Sequence, residues 1–296
     1  MNSPLIEMNS VTKQYADVTA LQDVTWQLPQ GSCVGLIGRN ASGKSTLMRI
    51  VAGLVLPTSG SCMTLGSQSR DLEEQQLARI GLVQQEAELL SWLTVEQHIR
   101  YVAAFHSRWD LDLEQRLRNE FELQGKRTVV DLSPGMRQRL ALLLAVCHHP
   151  ELLLLDEPGS ALDPIARGEA MELILERAIE DGTTVLISSH VLHDVEKIVD
   201  RVLCIDEGRI LEDSTLDDLK ETYAEWIVTS RDAELPDHFT EDYVLSAERS
   251  VRQARLAVRA GEAQREQFSA KHQVDVQSVG LDLEGIFPLL MKADRS

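Results

Sequence analysis

Two kinds of apolar pattern alternate along residues 5 to about 222. The first is short and unbroken, Val34 to Ile37, Ile80 to Val83 and Leu152 to Leu155, with Thr183 to Ser189 a further, β-branched run. Unbroken apolarity of this length predicts strands buried on both faces of a sheet. The second recurs at helical spacing, as in Leu47, Ile50, Val51 and Leu54. Such alternation predicts a parallel α/β fold, in which ligands sit beyond the carboxyl ends of the strands. Ile37, Leu155 and Ser189 each deliver a polar motif to that edge.

Between about Leu89 and Val130 the strand-like runs stop and the pattern turns helical. Thr94-x-x-Gln97 there has the form of a capping box, which marks a helix start. This predicts a helical subdomain inserted into the α/β core, at about residues 89–140. After Thr222 the character changes again. Short alternating runs (Trp226 to Thr229, Arg255 to Arg259, Val274 to Val276), a turn at Pro236 and Asp237, and a closing helical pattern from Leu283 to Met291 predict a small α+β appendage. The expected division is 1–222 for the main domain and 223–296 for the accessory one.

The chain of 296 residues is 43% hydrophobic and 26% charged, an ordinary globular balance. Its densest apolar window, Leu140 to Cys147, falls far short of the about 18 residues that a membrane span needs. Met1-Asn2-Ser3-Pro4 lacks the basic and apolar regions of a secretory signal. Cys33, Cys62, Cys147 and Cys204 are scattered without metal-binding spacing, so reduced, buried thiols are expected, as suits the cytosol. A net charge of −18 argues against binding nucleic acid or anionic lipid, both of which need clustered Lys and Arg.

The candidate chemistry begins at Gly38-Arg39-Asn40-Ala41-Ser42-Gly43-Lys44-Ser45-Thr46, which fits the P-loop pattern G-x-x-x-x-G-K-[ST]. It lies between a strand-like run and a helical one, the context the motif requires. Its glycines let backbone N–H groups curl around phosphate oxygens, and the helix N-terminus adds partial positive charge. Lys44 then reaches the β- and γ-phosphates and the Ser45 hydroxyl ligates Mg²⁺. The implied ligand is a nucleoside triphosphate.

Further elements follow in a fixed order. Gln85 comes after Ile80 to Val83. Leu132-Ser133-Pro134-Gly135-Met136 precedes an arginine-rich helix. Leu152 to Leu155 ends in Asp156-Glu157, with Ser160-Ala161-Leu162-Asp163 close behind, and His190 closes the series. Over roughly residues 5 to 220 this set resembles the nucleotide-binding subunits of ATP-binding-cassette (ABC) transporters: Walker A, Q-loop, signature, Walker B, D-loop and H-loop. The resemblance implies an ABC-type P-loop ATPase fold with ATP and Mg²⁺ as cofactors.

Residue by residue, it implies that Asp156 holds Mg²⁺ together with Ser45 and Gln85. Glu157 polarises the attacking water, which a carboxylate at the end of a buried strand is suited to do. His190 is the switch histidine facing the γ-phosphate, and Tyr15 stacks on adenine. Ser133, Gly135 and Asp163 belong to motifs that meet the nucleotide across a dimer. Pro134 and Met136 depart from the common Leu-Ser-Gly-Gly-Gln form. Ser133 is still a good N-cap, and proline suits the first helical position. One P-loop and one signature per chain imply a second ATPase subunit, expected to be a second copy. Ser133-x-Gly135-Met136-Arg137-Gln138-Arg139-Leu140, with Leu283-Glu284-Gly285-Ile286-Phe287, looks most like the ABC-2-type exporter subgroup. Those ATPases lie on the cytoplasmic face of the cell membrane and drive transmembrane permeases made as separate chains.

Two other readings share these motifs. A cassette ATPase acting on ribosomes or DNA would be expected to show a second nucleotide domain, basic patches or a long coiled coil between Gln85 and Leu132. A sensor that binds nucleotide without turning it over would have no use for Glu157 and His190.

Overall fold

A computed structural model describes residues 4–86, 88–230, 234–236 and 238–293. Met1 to Ser3 and Asp237, the latter expected in a turn with Pro236, lie outside the described residues. The chain forms two compact units, Met1–Val199 with Ile205–Ile210, and Asp200–Cys204 with Leu211–Ser296.

The larger unit runs in chain order through β1 (Ile6–Tyr15), β2 (Val18–Leu28), β3 (Cys33–Ile37), α1 (Lys44–Val51), β4 (Ser59–Thr64), β5 (Ser67–Gln68), α2 (Glu74–Leu77), β6 (Ile80–Val83), α3 (Val95–Ala103), α4 (Leu111–Glu120), α5 (Pro134–Val146), β7 (Leu152–Asp156), α6 (Pro164–Glu180), β8 (Thr184–Ser188) and α7 (Leu192–Glu196). The division between the units passes through β9 (Arg201–Asp206) and β10 (Arg209–Thr215). The smaller unit continues with α8 (Leu216–Thr222), β11 (Tyr223–Ser230), β12 (Val244–Arg249), β13 (Gln253–Arg259), α9 (Glu262–His272), β14 (Val274–Gly280) and α10 (Leu283–Ala293).

Strands β3, β8, β7 and β6 lie side by side in that order, all parallel. Every residue of β3, β7 and β8 is buried, which is why their sequences are apolar without alternation. The register pairs Leu36 with Ser188, Asp156 with Ser188, and Val83 with Leu155. The carboxyl ends of the four strands therefore finish level, and the P-loop, Gln84-Gln85, Asp156-Glu157 and Ser189-His190 all leave from one edge. A second, antiparallel sheet is ordered β2-β1-β4-β5.

Residues 89–130 hold α3 and α4 and no strand among the described residues. Thr94 caps α3 as its sequence predicts: its Oγ1 accepts from the Gln97 N–H at 3.2 Å while Gln97 Oε1 accepts from the Thr94 N–H at 2.9 Å. One expectation fails at α1. Leu47, Ile50 and Val51 are buried, but the helix ends at Val51 and Leu54 is exposed. Gly53, at φ +72°, turns the chain there, and a Cβ on it would lie 2.4 Å from the Ser69 carbonyl oxygen.

In the smaller unit an antiparallel sheet of order β12-β13-β11-β14 buries Trp226, Val228, Leu256 and Val258 with Phe268 of α9. The Trp226 and Phe268 rings meet edge-on, with centroids 5.5 Å apart. The division between units falls earlier in sequence than Thr222. The reason is that α8 packs on β11 and α10, and Arg201 at the start of β9 is paired with Asp213 of β10 at 2.6 Å.

Candidate functional site

The P-loop is shaped by what its glycines allow. Gly38 follows directly on β3, and a Cβ there would come within 2.2 Å of the Ile205 carbonyl oxygen and 2.5 Å of Ser42 Oγ. Gly43 has φ +112°, open only to glycine, and sets the start of α1. Ala41 also has positive φ, at 63°. Left-handed residues within a loop turn successive N–H groups toward one concave side, an anion-binding nest. The first-turn N–H groups of α1, those of Ser45 and Thr46 among them, have no intrahelical acceptor, and no side chain caps this helix. Lys44 is buried, and its Nζ donates to the carbonyls of Gly38 at 2.8 Å and Arg39 at 2.9 Å. Ser42 Oγ is buried without a hydrogen-bond partner among the described residues. Arg39, Asn40 and Ala41 are exposed, and Ser45 and Thr46 half-buried, around the mouth of this loop.

Across the sheet edge stands a hydrogen-bonded group. Asp156 is buried at the end of β7, and its Oδ1 accepts the Ser188 hydroxyl at 2.6 Å. Glu157 follows in the left-handed region, at φ +50°, a conformation that costs a non-glycine residue about 1–2 kcal/mol. Its N–H donates to both the carbonyl and the hydroxyl oxygen of Ser188, at 3.2 and 3.0 Å. Its carbonyl accepts from Gln138 Nε2 at 3.1 Å. Glu157 Oε2 lies 2.6 Å from His190 Nδ1 and also faces the His190 N–H at 3.4 Å. The carboxylate is buried, while the imidazole is 56% exposed and so can meet a ligand from the open side.

The signature segment is tied to the same place. Ser133 caps α5 by accepting from the Met136 N–H at 3.2 Å, with Pro134 in the first helical position as expected. A Cβ on Gly135 would lie 3.0 Å from the Ala161 carbonyl oxygen, so this helix start packs directly on the segment leading to Asp163. Asp163 in turn caps α6, with Oδ1 accepting from the N–H groups of Ile165 and Ala166 at 3.1 and 3.0 Å.

Asp156, Glu157 and His190 are thus brought together, and Gly135 beside Ser133 packs on Ala161, two residues before Asp163. Tyr15 and Gln85 stand outside the hydrogen-bonded group. Tyr15, 44% exposed, ends β1 in the other sheet, with Lys13 Nζ 4.8 Å from its ring centroid. Gln85 is exposed just past β6, whereas Gln84 is half-buried.

Sequence reasoning missed two members of the group, Gln138 and Ser188. Gln138 is 2% exposed on α5, and besides bonding Glu157 it accepts from the Ala161 N–H at 3.0 Å through Oε1. The available signal was a polar residue at a core position, one turn before the buried Leu142. Ser188 signals itself as the hydroxyl that ends an otherwise apolar strand.

Residues 21–160 match the family described as ABC transporter. The chain is 33% identical over 217 residues to the bacitracin transport ATP-binding protein BcrA of Enterococcus faecalis, covering 73% of this chain and 70% of that protein. It is 34% identical over 221 residues to the protein of the same name from Bacillus licheniformis, covering 74% and 72%. Among solved structures, the ATP-binding cassette MJ0796, a dimer in a post-hydrolysis state bound to ADP and Pi, superposes with a TM-score of 0.64 at 25% identity, covering 71% of this chain and 98% of that one.

Proposed function

The chain belongs to the ABC transporter family as an ATP-binding subunit that hydrolyses ATP, and from that premise we propose how its residues divide the work. Gly38 to Thr46 hold the triphosphate: the loop and first-turn N–H groups receive phosphate oxygens, and Lys44 exchanges its two loop carbonyls for the β- and γ-phosphates. The buried, unpartnered Ser42 hydroxyl fits such an anion. Tyr15 stacks on the adenine.

The donors suit Mg²⁺, a hard cation that takes oxygen ligands and is bound mainly through substrate phosphates. Ser45 and Asp156 would hold it, with Gln85, and the ion would supply charge neutralisation on the β- and γ-phosphate oxygens. Ser188 keeps the Asp156 carboxylate aimed by donating to one oxygen, leaving the other open.

Glu157 orients the attacking water and takes up its proton. His190, whose Nδ1 faces the same carboxylate, presents its exposed ring to the γ-phosphate side of the site. The observation that carries this reading is the junction of β7 and β8, where Ser188 bonds both Asp156 and Glu157 and His190 faces the Glu157 carboxylate, at the edge where the P-loop begins.

Ser133 and Gly135, together with Asp163, face the nucleotide of a second subunit. One P-loop and one signature per chain are matched when two copies pair head to tail, so a homodimer is the expected assembly. No helix among the described residues is long and apolar enough to cross a membrane. We infer export through a separate transmembrane permease, from the cytoplasmic face; a role in transport is what the likeness to two bacitracin transport ATP-binding proteins supports. The charge of −18 speaks against nucleic acid as a partner.

The test is Glu157→Gln. It should bind ATP with near-normal affinity, lose hydrolysis by about a hundredfold or more, and accumulate as an ATP-bound dimer on size-exclusion chromatography. Retained hydrolysis would remove Glu157 from the base role. A variant that stays monomeric with saturating ATP would overturn the composite-site arrangement.

A further inference from the structure

We propose that Gln138 and Ser188 are positioning residues that hold the peptide of Glu157 in its left-handed conformation and so aim the base. The proposal rests on Glu157 acting as the base. A glutamate at φ +50° relaxes unless its surroundings fix it. Here both of its backbone polar groups are held. The N–H is shared between the carbonyl and hydroxyl oxygens of Ser188, at 3.2 and 3.0 Å. The carbonyl takes the Gln138 amide at 3.1 Å and, from its own turn, the Ser160 N–H at 3.1 Å.

Both are polar residues in otherwise apolar surroundings. Gln138 is 2% exposed among Leu140, Ala141 and Leu142 of α5, and Ser188 is fully buried at the end of an apolar strand. A buried amide of this kind is kept only when both ends are satisfied. The second end of Gln138 takes the N–H of Ala161, whose carbonyl lies against Gly135. One side chain therefore fixes the peptide that carries the base and the segment on which the signature helix rests. Ser188 does the same on the other side, because its hydroxyl donates to Asp156 while accepting from Glu157. Loosening the Gln138 clamp lets the Glu157 peptide swing, and its carboxylate leaves the attack line without any change at the P-loop, so that its effect belongs to turnover and not to ATP binding. Loosening Ser188 also frees the Asp156 carboxylate.

The experiment compares Gln138→Leu, Gln138→Met and Ser188→Ala with the unaltered protein and with Glu157→Gln. ATP-binding stoichiometry, KM for ATP and kcat per binding site are measured with Mg-ATP. For the Gln138 variants the expected result is full ATP binding, KM within about twofold, and kcat lower by about tenfold to a hundredfold, the cost of misplacing a reacting group by about an ångström; Ser188→Ala, which also frees Asp156, should lower kcat at least as far. Adding Gln138→Leu to Glu157→Gln should cause no further loss, because both changes remove the same contribution. Unchanged kcat per site in Gln138→Met and Ser188→Ala, with Glu157→Gln inactive, overturns the clamp and leaves the base in place. Normal hydrolysis by Glu157→Gln overturns the base itself. A fall in binding stoichiometry that accounts for all the lost rate reduces Gln138 and Ser188 to structural residues. If Gln138→Leu does not fold, Gln138→Met decides for Gln138 and Ser188→Ala for Ser188.

Discussion

Acidification should weaken the helical part of the larger unit through His148, which lies just past α5 and is 6% exposed. Burial, and then the neighbouring His106, whose ring stacks on it with centroids 3.9 Å apart, lower its pKa from 6.5 to about 4; carbonyl acceptors at Ile80 and Leu144 oppose this. A histidine whose folded pKa is depressed binds fewer protons than its unfolded counterpart between those two values. Its contribution is therefore fully present above pH 6.5, falls as pH drops toward 4, and levels off below. The difference between these two values corresponds to about 3 kcal/mol, most of which is lost by pH 4.5. Burial lowers His98 and His106 as well, so they add to the slope in the same direction. The assay is urea unfolding from pH 7.5 to 4.5 on the intact chain and on His148→Leu, with no nucleotide present. The variant should retain about 2–3 kcal/mol more of its neutral-pH stability at pH 4.5 than the parent does of its own. Identical pH slopes for the two proteins would refute the assignment of a buried, uncharged His148.

Lys44→Ala should weaken ATP binding by about a hundredfold or more in isothermal titration calorimetry, since the cation held against the loop carbonyls is gone; unchanged affinity would sink the P-loop assignment. Gly38→Ala forces a methyl to within 2.2 Å of a backbone oxygen, so Tm should fall by an amount equivalent to about 1–3 kcal/mol and ATP affinity should fall with it. A Tm equal to the parent's would show that the loop has room the structure denies it. Trp226→Ala, at the centre of the smaller unit's core, should cost about 3–5 kcal/mol by chemical denaturation; a loss under about 1 kcal/mol would mean that this ring does not hold the appendage together.

Much of the larger unit was legible because its elements carry strong local signals. Doubly buried strands are rich in apolar and β-branched residues, so Val34 to Ile37, Leu152 to Leu155 and Thr183 to Ser189 could be read directly, and each ends at the edge where the polar motifs lie. The caps at Thr94 and Ser133 were legible for a similar reason: capping depends on side chains within four residues of one another. Where the signal is not local, reading failed. Leu54 continues the apolar spacing of α1, yet Gly53 ends the helical course, and only the tertiary approach of Ser69 shows why a glycine stands there. Gln138 and Ser188 were missed because their partners lie 19 and 31 residues away in sequence. The division between the units also depends on long-range packing, that of α8 against β11 and α10, which periodicity does not reveal.

The measurement that tests the central claim most directly is a mild-detergent pull-down of the tagged chain from its native membranes, with mass spectrometry of the co-purified proteins. A transport ATPase predicts a polytopic membrane protein in stoichiometric amount, with ATPase activity that changes when the pair is reconstituted. Recovery from the soluble fraction alone, with ribosomes or nothing attached, would contradict that account.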